Sequence, residues 1–118
     1  MTNPPLSTPA WGAPADCTLP TVDRPLRVAE FDDLFATAVR SVTRESAVHA
    51  TFELPAEPEV ATTAASLTAR ESRCCTFWTF TLTMAGGRVT LDVQVPARHR
   101  DVLDALVDRA RAATAAAS

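Results

Sequence analysis

Two consecutive segments of alternating apolar and polar residues constrain the fold of this chain most strongly. The first, Phe77–Met84, sets large apolar residues against threonines, and the second, Val89–Val95, sets aliphatic residues against threonine, aspartate and glutamine. Successive side chains of a strand point to opposite faces of a sheet. Gly86 and Gly87 lie between the segments and supply the positive φ that a tight turn needs. The sequence therefore predicts an antiparallel hairpin with one apolar and one solvated face.

Three other stretches carry apolar residues at helical spacing. In Glu30–Arg44 the apolar residues recur at intervals of three and four, which indicates an amphipathic helix. The same spacing, less hydrophobic, continues over Glu59–Arg73 and returns in Ala97–Ala113. Ala47–Leu54 alternates with a period of two and predicts a further strand, whereas Pro25–Val28 is interpreted as a short strand or a lead-in to the first helix.

These elements follow one another in the order α-β-α-β-β-α, and the apolar face of an antiparallel sheet has to be covered by helices. We therefore predict an α+β fold, a two-layer sandwich of a three- or four-stranded antiparallel sheet with helices on one face. Five of the nine prolines lie within the first 20 residues, and proline disfavours regular structure there. Residues 1–16 are predicted to be an extended or disordered arm, and residues 17–115 one α+β domain.

Charge and hydropathy exclude several classes of protein. The formal net charge of -3 argues against a nucleic-acid partner, which requires a basic surface. No apolar run approaches the roughly 20 residues that span a membrane, and the first residues lack the basic and apolar segments of a secretory signal. A cytoplasmic location is therefore expected. Thiols stay reduced there, so the three cysteines indicate metal binding or thiol chemistry rather than structural disulfides.

Two adjacent cysteines at the end of the second predicted helix are the strongest candidates for chemistry. Glu71 precedes Cys74 and Cys75 by three and four residues, so its carboxylate lies beside the thiols if the helix continues that far. It belongs to the apolar stripe of that helix, and a desolvated carboxylate needs a partner. Arg70, Arg73 or a bound cation could supply that partner.

A thiophilic cation would satisfy both the thiols and the carboxylate. Two or three sulfurs with few other ligands suit Hg(II), As(III) or Cu(I), whereas Zn(II) is disfavoured because no second cysteine pair completes a tetrahedral site. Cys17 could supply a third sulfur, and we expect it to lie close to Cys74 or Cys75. The predicted function is thus a small binding protein for a soft metal or metalloid ion, with Glu71 as an accessory ligand or as support for the ligands.

Other interpretations of the same residues remain open. Cys74 and Cys75 could be small buried side chains at a helix-to-strand junction. They could also belong to a thiol-dependent redox enzyme or sensor in which Cys17 forms a disulfide with one of them, although a non-enzymatic role is favoured. A third interpretation has no thiol chemistry and makes the domain an interaction module or a homodimer, because the strand Val89–Val95 has no proline or lysine to protect an edge.

The segment Ala69–Thr83, together with Cys17–Pro20, resembles small proteins of high-GC bacteria that share a Glu-x-x-Cys-Cys-x-Phe signature ahead of an alternating strand. The likeness covers Cys17–Arg109. The resemblance implies an association with heavy-metal resistance and brings no established activity with it. On the matching positions it singles out Cys17, Glu71, Cys74 and Cys75.

Overall fold

The computed structural model describes residues 24–117, and the predicted α+β class is confirmed there. A four-stranded antiparallel sheet packs against helices in the order α-β-β-α-β-β-α. The predicted arm and Cys17 lie outside the described residues. The elements are α1 (Arg24–Ala38), β1 (Ser41–Ser46), β2 (His49–Leu54), α2 (Pro58–Cys74), β3 (Thr79–Ala85), β4 (Arg88–Gln94) and α3 (Arg100–Ala117), with a 3-10 turn (Ala97–His99) before α3.

The sheet consists of two hairpins placed side by side, in the strand order β1-β2-β4-β3. β2 runs antiparallel to β4, with Phe52 opposite Leu91, and α2 connects the two hairpins along the chain. β1 and β3 are therefore the edges. The expectation that Val89–Val95 forms an edge is wrong, because β2 pairs with the side of β4 that the predicted hairpin leaves open.

One strand in the first half of the chain is missing from the sequence prediction. The helical spacing extends to Arg44, but α1 ends at Ala38 and Val42 lies in β1. The backbone N–H of Arg40 donates to the carbonyl of Glu53 at 2.8 Å, so the chain is already held by the sheet at that point. Apolar residues at helical spacing do not exclude a strand here, because Val42 has a polar residue on each side and therefore also fits an alternating pattern. Pairing of this segment with β2 makes it a strand.

The other boundary of α1 also differs from the prediction, since Pro25–Val28 is helical and not a strand. Proline is tolerated in the first turn of a helix, where a backbone N–H has no partner within the helix in any case. The helix therefore starts upstream of the predicted Glu30, which brings Arg27 onto the stripe that contains Phe31 and Phe35.

The predicted β3–β4 hairpin is confirmed. Gly86 and Gly87 form its two-residue turn with φ values of 58° and 74°. This left-handed region is strained for residues with a Cβ and free of strain for glycine. The turn fixes the register, and alternate residues of β4 enter the core.

The core lies between the helices and one face of the sheet. Phe35 of α1 stacks on Phe52 of β2 with 5.7 Å between the ring centroids. The opposite face is polar, and at its centre Asp92 Oδ1 accepts a hydrogen bond from Thr51 and lies 2.8 Å from His49 Nε2. Within residues 24–117 no helix is long and apolar enough to cross a membrane. The largest fully buried side chains include Phe31, Phe35, Phe52, Leu67, Leu103 and Leu106.

Candidate functional site

The end of α2 and the loop after it contain the residues that the sequence singles out. The backbone N–H of Cys75 donates to the carbonyl of Glu71 at 2.8 Å, and the N–H of Trp78 donates to the carbonyl of Cys75 at 3.4 Å. The chain thus turns back over the last turn of α2 before it enters β3 at Thr79. This tight turn holds the backbone of Cys75 against the helix.

Glu71 is completely buried, with 0 % of its surface exposed, and both of its carboxylate oxygens accept hydrogen bonds. Arg27 Nη1 donates to Oε1 at 2.8 Å, and Trp78 Nε1 donates to Oε2 at 3.0 Å. The expectation that Arg70 or Arg73 pairs with Glu71 is wrong. Both of these arginines are exposed on α2, whereas α1 brings Arg27 to the buried side of that helix.

Arg27 and Glu71 form the inner part of a row of alternating charges. Arg27 Nε lies 3.6 Å from Glu30 Oε1, and Glu30 accepts hydrogen bonds from Arg70 Nη1 at 3.0 Å to each of its two oxygens. The row leads from the exposed side of α2 to the buried carboxylate. A buried carboxylate with a guanidinium partner and a second hydrogen bond is satisfied electrostatically, so the network positions α1 and Trp78 relative to α2.

The contacts of Glu71 with Arg27 and Trp78 restrict the role that it can have at the predicted metal site. Arg27 already balances the charge of this carboxylate, and each oxygen accepts a hydrogen bond, so a cation bound there would lie next to the guanidinium charge and be repelled by it. The geometry therefore favours Glu71 as a residue that holds the helix end and the loop in place, rather than as a ligand.

The two adjacent cysteines are in different chemical states. Cys75 is completely buried and disulfide-bonded, whereas Cys74 is a half-buried thiol. The structure thus contains no pair of neighbouring thiols at this position, although the sequence suggests one. Among the residues from 24 to 117, no group of three or more histidine, cysteine, aspartate or glutamate side chains could hold a metal ion. Cys17, the third predicted sulfur, lies outside the described part of the chain.

Aromatic rings pack along the chain just after the cysteines. Phe77 and Trp78 have ring centroids 4.9 Å apart, and Trp78 stacks on Phe80 of β3 at 5.4 Å. Phe77 also contacts His99, with 4.4 Å between the ring centroids. These contacts connect the turn that contains Cys75 to β3 and to the 3-10 turn before α3.

Sequence reasoning missed Arg27 and Trp78 as members of this site. The signal for Arg27 was present, because it precedes Phe31 by four residues and so extends the inward stripe of α1. A cation on that stripe and an anion on the inward stripe of α2 are natural partners. Trp78 follows Glu71 by seven residues, and only the reversal of the chain after Cys75 brings its indole N–H back to the carboxylate.

No protein-family model matches the chain, and no curated protein or solved structure shows significant similarity to it. The resemblance to proteins with the Glu-x-x-Cys-Cys-x-Phe signature therefore stays a prediction. The geometry itself defines a two-layer α+β domain. In this domain α2 ends at the thiol Cys74, and the next residue, Cys75, is buried and disulfide-bonded. The buried ion pair of Arg27 and Glu71 involves the last turn of the same helix.

Proposed function

We propose that the protein is a cysteine-based redox protein in which Cys75 alternates between a disulfide and a thiol. The observation that carries this proposal is the unequal state of two adjacent residues: Cys75 is buried and disulfide-bonded, and Cys74 is a half-buried thiol. The sequence has three cysteines and Cys74 is a thiol, so we infer that Cys17 is the disulfide partner of Cys75 within one chain. Reduction by an external dithiol adds two electrons and two protons, breaks the sulfur–sulfur bond and leaves thiols on Cys17 and Cys75.

Cys74 provides a route for thiol–disulfide exchange. A thiolate attacks one sulfur of a disulfide and releases the other as the leaving group. A bond between Cys74 and Cys75 departs from normal disulfide geometry, so the thiolate of Cys74 attacks the sulfur of Cys17. A Cys17–Cys74 disulfide forms and Cys75 leaves as a thiolate, which takes up a proton. Cys74 is also more exposed than Cys75, so an external dithiol reaches the Cys17–Cys74 disulfide more readily than it reaches Cys75.

The buried network beneath the cysteines supports such a cycle. Glu71, Arg27 and Trp78 hold the end of α2 and the following turn through hydrogen bonds that do not involve sulfur. The turn can therefore keep its shape when the disulfide opens. A protein that changes its sulfur bonding without unfolding is suited to repeated oxidation and reduction.

The first experiment identifies the cysteines that are linked. Unfolding under non-reducing conditions with an alkylating reagent, followed by proteolysis and mass spectrometry, is expected to yield Cys74 alkylated and Cys17 linked to Cys75. Cys74→Ser is the matched control and should leave that link intact. Alkylation of all three cysteines in protein purified without reductant would contradict the proposal.

The second experiment distinguishes a redox-active disulfide from a structural one. Equilibration with glutathione buffers of graded potential, followed by alkylation, gives the midpoint potential. Structural disulfides have potentials below about −300 mV and resist the glutathione pool. We expect a reversible midpoint above that value and a folded reduced form by circular dichroism. A bond that glutathione cannot open, or a reduced form that unfolds, would assign the disulfide to stability alone.

Capture of a soft metal or metalloid is the second candidate function. The observation in its favour is that reduction of Cys75 would leave two thiols on adjacent residues, to which Cys17 would add a third. Thiolates favour Hg(II), As(III) and Cu(I) over Zn(II) in such a site. The resemblance to proteins associated with heavy-metal resistance supports the same candidate. In this function Glu71 acts by positioning the helix end.

Native mass spectrometry of fully reduced protein with Hg(II), As(III), Cu(I) and Zn(II) tests this second candidate. Cys17→Ser should weaken binding of As(III), which prefers three sulfurs, more than binding of Hg(II), which is satisfied by two. The double variant Cys74→Ser/Cys75→Ser should lose both ions. Undiminished binding by the double variant would contradict metal capture and would leave the redox proposal to its own two experiments.

A further inference from the structure

The two edges of the sheet differ in their protection against another strand. β1 has an irregular register between Arg44 and Ser46, and it carries the charges of Arg44 and Glu45. Bulges and charged side chains discourage edge-to-edge pairing. β3 has no charged residue, proline or glycine, and all seven of its residues pair with β4 without a register shift. β3 is therefore the unprotected edge.

The hairpin turn determines which backbone groups of β3 point outward. Ala85 and Arg88 close a two-residue turn, so they form a hydrogen-bonded pair, and such pairs alternate along the ladder. The N–H and C=O groups of Phe80, Leu82 and Met84 therefore point away from β4. All four strands among residues 24–117 have their neighbours within the sheet order, and none of them lies beyond β3.

The same three residues form an incompletely covered apolar strip on the helix side of β3. Phe80 and Leu82 are half-buried, and Met84 has 63 % of its surface exposed. In β4, by contrast, the apolar side chains are fully buried. Within residues 24–117, β3 thus combines backbone groups that no other strand pairs with apolar side chains that are only partly covered.

We propose that β3 pairs antiparallel with β3 of a second copy of this chain, which joins the two sheets into one of eight strands. Directly opposite residues of an antiparallel pair lie on the same face of the sheet. When the two strands are identical, a two-fold axis relates them, and the residue next to that axis lies opposite its own copy. Leu82 is the middle residue of β3, and an axis there pairs the full length of the strand.

This register makes the strand complementary to itself. On the apolar face it places Met84 of one copy opposite Phe80 of the other, and a thioether beside an aromatic ring is a favourable contact. On the polar face it places Thr81 opposite Thr83 of the other copy, and no charge lies on either strand. The proposal does not depend on the cysteines, so it stands apart from the proposed redox function.

Two double variants at exposed positions test both the pairing and its register. Thr81→Lys/Thr83→Lys places two pairs of like charges directly opposite each other in the proposed dimer, and Thr81→Lys/Thr83→Glu places opposite charges there. Both threonines are exposed, so the fold of one copy is unaffected. Sedimentation equilibrium should show a dimer for the parent chain, a dissociation constant raised about tenfold or more by the first variant, and recovery in the second.

Thr43→Lys on the opposite edge is the matched control and should leave the dimer unchanged. A parent chain that stays monomeric at several hundred micromolar would overturn the proposal. Equal dissociation of the two double variants would refute the register, and dissociation of the control variant alone would place the contact on β1.

Hydrogen exchange of the unmodified chain gives a second measurement, because the amides of Phe80, Leu82 and Met84 should be protected at high protein concentration and exchange rapidly at low protein concentration. Rapid exchange at both concentrations would also refute the pairing.

Discussion

The buried pair of Arg27 and Glu71 gives the sharpest prediction for stability. Arg27 Nη1 lies 2.8 Å from Glu71 Oε1 with 10 % and 1 % of the respective side chains exposed. Removal of Arg27 leaves the Glu71 carboxylate buried without its charged partner, and removal of Glu71 leaves the buried Arg27 with only the longer contact to Glu30, at 3.6 Å. Such a loss costs about 3–5 kcal/mol. We therefore expect Glu71→Leu and Arg27→Met each to lower the free energy of unfolding by about that amount.

The double variant Arg27→Met/Glu71→Leu should be far more stable than the sum of the single effects. Apolar side chains of similar volume often replace a buried ion pair at no cost. The remaining penalty is the lost acceptor for Trp78 Nε1, worth about 1–3 kcal/mol. The two substitutions together should therefore cost about 1–3 kcal/mol, which corresponds to a coupling of at least about 3 kcal/mol between the two residues.

The free energies of unfolding of the parent chain, the two single variants and the double variant are measured by urea unfolding, followed by circular dichroism without reductant. A shift in the midpoint at constant slope reports a change in stability alone. The domain as a whole is expected to be stable by about 5–15 kcal/mol, so a single variant can approach unfolding. Glu71→Gln then serves as the milder substitution. Arg70→Met, which removes an exposed cation from the same charge row, is the control and should cost less than about 1 kcal/mol. Additive effects of Arg27→Met and Glu71→Leu would refute the reasoning.

Three further predictions concern single contacts. Trp78→Phe keeps an aromatic ring but removes the N–H that donates to Glu71, so urea unfolding should show a loss of about 1.5–3 kcal/mol; an unchanged midpoint would mean that the hydrogen bond is energetically neutral. In Gly87→Ala the added Cβ meets no atom within 4 Å, but the residue must adopt a φ of 74°. Thermal unfolding should therefore show a loss of stability of about 1–2 kcal/mol from backbone strain alone. An equal or higher melting temperature would contradict this. Asp32→Asn weakens a half-exposed ion pair in which Arg109 donates two hydrogen bonds. The free energy of unfolding should fall by less than about 1 kcal/mol, and by still less in 1 M salt. A large loss that does not depend on salt would be inconsistent with a surface pair.

The elements with one buried and one solvated face are those that the sequence predicts best. β3 and β4 follow because their alternation is uninterrupted and because Gly86 and Gly87 fix the turn between them. α2 is predicted as Glu59–Arg73 and extends over Pro58–Cys74, a difference of one residue at each end. β1 escapes prediction because its side chains are exposed or half-buried throughout, so its sequence carries no clear alternation.

The site is predictable only in part, because its contacts join distant parts of the sequence. The position of Glu71 on an apolar stripe shows that a buried carboxylate needs a partner. Arg27, the residue that meets this need, is 44 positions away, and it becomes visible only once the first helix is extended upstream. The unequal states of Cys74 and Cys75 could not be predicted either, because α2 ends at Cys74 and Cys75 already has an extended backbone, and a sequence pattern does not fix a helix end to a single residue.

The contacts at the end of α2 support the proposed redox cycle, in which the disulfide opens without loss of the fold. α1 is tied to α2 through Arg27 and Glu71 and to α3 through Asp32 and Arg109, and neither link involves sulfur. The backbone of Cys75 is fixed by the carbonyl of Glu71, while the carboxylate of the same residue holds Trp78. Because Glu71 secures the helix end through its backbone carbonyl and the returning loop through its carboxylate, a change in the bonding of Cys75 can remain local.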